Sequence, residues 1–262
     1  MFQRCSAERF TNEAGRVVRL SMSREQESAL GLEAYREVLA SNPVIRSGPQ
    51  YETVRRCASR LASATGDSGR DFDWQVSLVN SKEINAFCLP GGKIVVYTGI
   101  LPIAENEAGL AVVMGHEMAH ATLRHGSERV LQQQAANTIM TGVNFSTADM
   151  DYGQRQMILS ALGAGAQYGY LLPFSRDHES EADAIGLRYM ALAGYDPQEA
   201  PRFWERMSSA GSGHSPPEFA STHPSHETRI QRLNAELPKA IELYRSRVNQ
   251  NVPLEQESTR KF

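Results

Sequence analysis

The sequence predicts an α+β fold, mostly helical, with a small β-sheet ahead of one buried, histidine-bearing helix. Three observations predict it. Apolar residues recur at helical spacing on both sides of a short central stretch. That stretch, Trp74 to Tyr97, alternates or runs apolar around a Pro90-Gly91-Gly92 turn, as short strands do. Residues 103–149 contain no proline, and within them His116-Glu117-Met118-Ala119-His120 has apolar flanks, with Glu117 the sole charge from Leu110 to Leu123.

In chain order, residues 1–22 read as an irregular start. Ser23 to Ala40 carries Leu30, Ala34 and Val38 at helical spacing and stops at Asn42-Pro43; Tyr51 to Ala64 repeats the pattern before Gly66. Trp74, Val76 and Leu78 alternate with polar residues as a half-buried strand would, and Phe87–Leu89 with Ile94–Tyr97 completes the sheet. After the histidine helix, residues 127–140 and 154–171 read as helical, separated by a polar, irregular stretch from Asn144 to Asp151. A helix carrying Glu179 follows, then Pro197–Ser209, a Gly-, Ser- and Pro-rich loop from Gly211 to Ser221, and a last helix from near Pro224 to Val248, with Pro238 as a point of break. The end from residue 249 to 262 reads as irregular. With no repeat and no linker, residues 1–262 are expected to form a single domain.

Positions i and i+4 share a helical face, so His116 and His120 can offer two imidazole nitrogens to one metal ion, with Glu117 beside them to act on a bound water. A catalytic zinc usually takes a third protein ligand, often a carboxylate from another helix. Glu179, Ala182, Asp183, Gly186 and Met190 form one helical stripe, so Glu179 can ligate while Asp183, one turn on, fixes the tautomer of a zinc histidine. Ala182 and Gly186 would let this helix approach the histidine helix closely. The alternative is a solvated acidic helix start, favoured by the macrodipole. Glu181 and His178 are rival ligands; Glu181 shares a face with Arg188, which suits a surface charge.

Paired H-E-M-A-H and E-S-E-A-D segments resemble the Glu-type zinc endopeptidases of the CAAX prenyl protease, HtpX, Oma-type and beta-barrel assembly-enhancing protease kind. Asn85 to Gly99 is similar to that family's strand and turn, and Ser221-Thr222-His223-Pro224-Ser225 with Arg229 to its C-terminal signature; together the matches cover about residues 24–235. The resemblance implies a mostly helical zincin-like metallopeptidase fold, one Zn2+ per chain, and polypeptide substrates that are unfolded or misassembled. It also implies a histidine near the metal at His223, as oxyanion donor or as removable fourth ligand. Without it, His223 is a residue leading into the helix at Pro224. Arg229 could orient this loop, pair with a carboxylate, or be a solvated arginine. His125 reads as structural, and His178, His214 and His226 as surface residues. The strand Lys93, Ile94, Val95, Val96 is expected to offer an unpaired edge to an extended polypeptide. The runner-up function is an assembly or binding factor that keeps the metal fold but cleaves little; a third is a hydrolase of non-peptide amides.

The 262 residues are 41% hydrophobic with a formal net charge of −3, which supplies a core and no basic field for nucleic acid. Cys5, Cys57 and Cys88 have no disulfide or zinc-ribbon spacing; Cys57 and Cys88 read as buried thiols. Soluble bacterial members of the family are often secreted or lipid-anchored, so Cys5 leaves two expectations. The protein is periplasmic or outer-membrane-associated, with peripheral or lipid-anchored attachment, if a leader is missing from this start; otherwise it is cytoplasmic. Gln156 to Ser175 lacks charge but is diluted by Gly163, Gly165, Gly169 and Pro173, so it reads as a wall or lid over the site rather than a membrane span. The oligomeric state is not legible.

Overall fold

A computed structural model describes residues 8–20, 22–131, 175–210, 219, 222–223 and 227–249. Helix α1 (Arg24–Ser41) opens with a capping box, in which Ser23 accepts from the Gln26 amide and Gln26 reaches back to the Ser23 amide. Helix α2 (Pro49–Ala64) places proline in its first turn, where no amide hydrogen is needed. Between and after them, strands β3 (Val44–Ile45), β4 (Gln75–Val79), β5 (Ala86–Leu89) and β6 (Lys93–Tyr97) form one sheet in the order β3-β4-β6-β5. β4 and β6 are parallel and the other two pairings antiparallel. Gly91 and Gly92 take φ of 77° and 86° in the β5–β6 turn, a conformation that side chains rarely adopt.

The sheet's two faces bury different partners. Leu78, Ala86, Cys88, Ile94 and Val96 face the main helical core, whereas Val79, Phe87, Leu89, Val95 and Tyr97 pack with Ala34, Tyr35 and Val38 of α1. A short helical turn, α3 (Leu101–Ala104), leads into α4 (Glu107–Thr122), whose first turn is capped by Asn106 accepting from the Gly109 amide at 2.9 Å. Every residue of α4 from Gly109 to Thr122 is buried. Helices α5 (Arg176–Leu192), α6 (Glu199–Ala210) and α7 (Glu227–Asn249) complete the described architecture, an α+β zincin-like arrangement. Cys57 and Cys88 are buried free thiols, as expected.

Three expectations need correction. Residues 1–22 are not uniformly irregular: β1 (Glu8–Thr11) and β2 (Val17–Leu20) pair as an antiparallel hairpin, with Gly15 at φ 82° in its turn. Val18 and Leu20 are buried while Val17 and Arg19 face out, an alternation too short to stand out beside two arginines. Pro238 lies inside α7 without ending it. Lys93–Val96 offers no free edge, because β6 is hydrogen-bonded to β4 on one side and β5 on the other. A run buried at every position marks a central strand, and the sheet edge falls instead to β5, which packs on α4. Among the described residues no helix is long and apolar enough to cross a membrane. The regions 144–151 and 154–171, the 211–218 part of the loop, His214, His226 and the uncharged stretch up to residue 174 lie outside the described residues.

Candidate metal centre

The site begins where two helices touch through their main chains. A Cβ on Gly186 would lie 2.8 Å from the His116 amide nitrogen and 2.9 Å from the Gly115 carbonyl carbon, so α5 meets α4 with no side chain between. This contact sets Glu179 and Asp183 against the histidines. Ser175 caps α5 by accepting from the His178 amide at 3.2 Å, which starts the helix one turn before the carboxylates.

His116, His120, Glu179 and His223 converge, with one donor atom from each lying within 4.8 Å of the others and all four residues buried. His116 Nε2 is 3.0 Å from His120 Nε2 and 3.2 Å from His223 Nδ1. Glu179 Oε2 is 3.4 Å from His116 Nε2, and Oε1 is 3.4 Å from His120 Nε2 and 2.9 Å from His223 Nδ1. Atoms sharing a tetrahedral ion through bonds of about 2.0–2.1 Å stand roughly 3.3–3.4 Å apart, so the donor set fits a tetrahedral cation. Glu117 Oε1 is buried and accepts no hydrogen bond, with His223 Nε2 3.3 Å away, and the buried Glu179 Oε2 forms an ion pair with Arg229 Nη1 at 2.8 Å.

Asp183 and Arg229 hold His116 from behind. Asp183 Oδ1 lies 3.0 Å from His116 Nδ1, and the Arg229 guanidinium donates to both Asp183 oxygens at 2.7 Å. Arg229 also sits over Trp204, its guanidinium carbon 3.4 Å from the ring centroid. Trp204 meets His116 edge-on at 5.7 Å, and Phe219 stacks on His223 at 4.7 Å. The sequence reading missed both aromatics; a Trp on an amphipathic helix reads as core, and here it is core and wall at once.

The surroundings set the charge of each donor. Burial opposes charge on Glu179, but His223 and Arg229 outweigh it and hold the carboxyl well below its usual range. Burial pushes His120 well below its ordinary value, leaving it neutral, the state a metal requires. Burial and Arg229 oppose charge on His116, yet hydrogen bonds to Asp183 and Glu179 lift it to about 9, so an arriving cation displaces a proton there. Burial pushes the Glu117 carboxyl upward.

A second cluster lies on the far side of His120. His178 is buried rather than on the surface, its Nε2 3.0 Å from Glu128 and its ring stacked on His125. Glu181 likewise is no free surface charge: it pairs with His125, with Asn12 at 2.9 Å and with Arg16. Burial opposes charge on Glu128 and Glu181, but hydrogen bonds from His178 or His125 and from Arg16 hold each near about 2.

A helix carrying H-E-x-x-H, crossed by a second that supplies a carboxylate, defines the metallopeptidase class of fold. The chain belongs to Peptidase family M48, whose profile it matches over residues 50–237. It is 39% identical over 225 residues to the mitochondrial metalloendopeptidase OMA1 of Schizosaccharomyces pombe, covering 84% of this chain and 63% of that protein. It is 30% identical over 247 residues to the beta-barrel assembly-enhancing protease of Escherichia coli O157:H7, covering 92% of this chain and 48% of that one. The human mitochondrial metalloendopeptidase OMA1 is 32% identical over 244 residues, covering 87% and 46% respectively. The chain thus spans between about half and under two-thirds of these relatives' lengths.

Proposed function

We propose that this chain is a zinc-dependent endopeptidase acting on unfolded or misassembled polypeptides, with His116, His120 and Glu179 as ligands. The observation that carries the reading is the convergence of these donor atoms, all buried, beside a Glu117 oxygen that accepts no hydrogen bond. Two neutral imidazoles and a carboxylate suit zinc. When bound, zinc lowers the pKa of a coordinated water from 15.7 to about 7 and polarises a substrate carbonyl.

The rest of the chemistry belongs to the chain. Glu117 takes the proton of the attacking water and delivers it to the leaving amine nitrogen. Its burial raises its proton affinity, which suits a group that must receive a proton and then release it. Asp183 holds the His116 ring, and Arg229 holds Asp183. We read His223 as a removable fourth ligand, because its Nδ1 lies among the donor atoms. A site with four protein ligands is closed, whereas catalysis needs one position open, so His223 must swing away before substrate enters.

Digestion of an unfolded casein-type substrate tests the function. Cleavage is expected to stop with chelator, and Glu117→Gln to lose ~10²–10⁴-fold in rate while retaining zinc by elemental analysis. Absent or chelator-insensitive cleavage alongside intact partner binding would favour an assembly factor instead. Hydrolysis of small amides alone would point to a non-peptide hydrolase.

A further inference from the structure

A continuous hydrogen-bonded chain leaves the metal centre through the back of His120. His125 Nδ1 is 3.0 Å from His120 Nδ1, and His125 Nε2 is 3.1 Å from Glu181 Oε2. Glu181 is held in turn by Asn12 Nδ2 at 2.9 Å and by Arg16 Nε. Donor and acceptor chemistry fixes each hydrogen along this line. An ionised carboxylate only accepts, so His125 Nε2 donates to Glu181. A neutral imidazole then has a lone pair at Nδ1, and the hydrogen in the His125–His120 contact belongs to His120 Nδ1. His120 therefore turns a bare Nε2 toward His116 and Glu179.

A parallel rail stops the His125 ring from swinging. It stacks on His178 with centroids 4.4 Å apart and planes at 21°. His178 Nε2 is 3.0 Å from Glu128, and Glu128 takes two hydrogen bonds of 2.7 Å from the Arg16 guanidinium. Arg16 thus anchors both rails, and it sits in the turn of the β1–β2 hairpin, ahead of residues 50–237 that carry the family profile.

We propose that His125, Glu181 and Arg16 are positioning residues for His120, and that the N-terminal hairpin thereby helps set the metal affinity of the centre. This rests on His120 being a zinc ligand. His116 has its own support in Asp183 and Arg229, from α5 and α7, so the two metal histidines are braced from opposite sides.

Zinc affinity of the full chain, measured by competition with a chromophoric chelator, tests the proposal, with melting of the metal-free protein recorded alongside. Leu and Asn have nearly the same shape, but only Asn can accept the His120 Nδ1 hydrogen. His125→Leu is expected to weaken zinc by ~10–100-fold, His125→Asn to stay within a few-fold of wild type, and Arg16→Met to weaken it several-fold. Wild-type affinity in His125→Leu, or equal losses in the Leu and Asn variants, would overturn the positioning role. Unchanged affinity in Arg16→Met would overturn the hairpin's part. Nitrogen NMR of the imidazoles in zinc-loaded wild type needs no variant to fold: hydrogens are expected on His120 Nδ1 and His125 Nε2, and one on His125 Nδ1 overturns the scheme. A wild-type chain that takes up no zinc would instead defeat the ligand assignment on which the proposal stands.

Discussion

Two clusters in this molecule use the same side-chain types to opposite ends. The inner one, His116, His120, His223 and Glu179, crowds nitrogen and oxygen donors around a common point. The outer one, His125, His178, Glu128 and Glu181, spreads its groups into pairs, each histidine against one glutamate and both glutamates against Arg16. Residue type therefore does not make a metal site. What distinguishes the inner cluster is the convergence of its donor atoms on a common point. In the outer cluster a guanidinium occupies the middle, and the charges are already compensated. Arginine also stands beside the inner cluster, where Arg229 pairs with Glu179 at 2.8 Å as well as with Asp183, yet the donor atoms still face one another.

The sharpest way to break the comparison is to remove the inner carboxylate. Glu179→Gln should weaken zinc by more than the ~100-fold that supporting residues can account for and abolish cleavage, read by elemental analysis and substrate digestion; retained zinc would mean that another group ligates. Gly186→Ala attacks the helix crossing that brings the cluster together. Its methyl group would press on the His116 backbone, and a loss of ~1–3 kcal/mol in stability is expected, visible as a lowered melting temperature together with weaker zinc binding.

His223→Ala tests the proposed removable fourth ligand. It should raise basal cleavage several-fold at saturating zinc in a steady-state assay, and a fall would restore His223 as an oxyanion donor. The smallest effect belongs to the outer cluster. Glu128 has its pKa depressed in the fold to about 2 from an ordinary 4.5. A depressed carboxylate contributes stability above its unfolded pKa and loses it as pH falls through the folded one. Metal-free protein should accordingly lose stability between about pH 5 and pH 2, and Glu128→Gln should flatten that limb in urea melts at successive pH values. Glu128 is partly exposed, so solvent screening keeps the change modest.

Legibility from sequence follows the range of the interaction. The i, i+4 histidines and the Glu179–Asp183 stripe are local helical patterns, and the structure brings them together as the spacing leads one to expect. Arg188 shares a face with Glu181 and suggests a surface, but Arg188 pairs with Glu13, and Asn12 and Arg16 of a hairpin far away in sequence bind Glu181. The Arg16–Glu128 pair spans 112 residues, and no spacing rule reaches across that distance. β6 is legible as a strand, and its apolar run with no alternation signals cover on both faces, which argues against an open edge. His178 and Trp204 show the remaining limit, since a side chain's partners depend on which helix crosses it and at what angle.

The bare crossing of α4 and α5 at Gly115 and Gly186 has one more consequence. Main chain against main chain is a hard stop that no change of rotamer can relax, so the spacing of the two helices that carry Glu179 and the two imidazoles is a property of the scaffold. What can still vary at the centre is the set of side-chain rotamers carried on that fixed crossing.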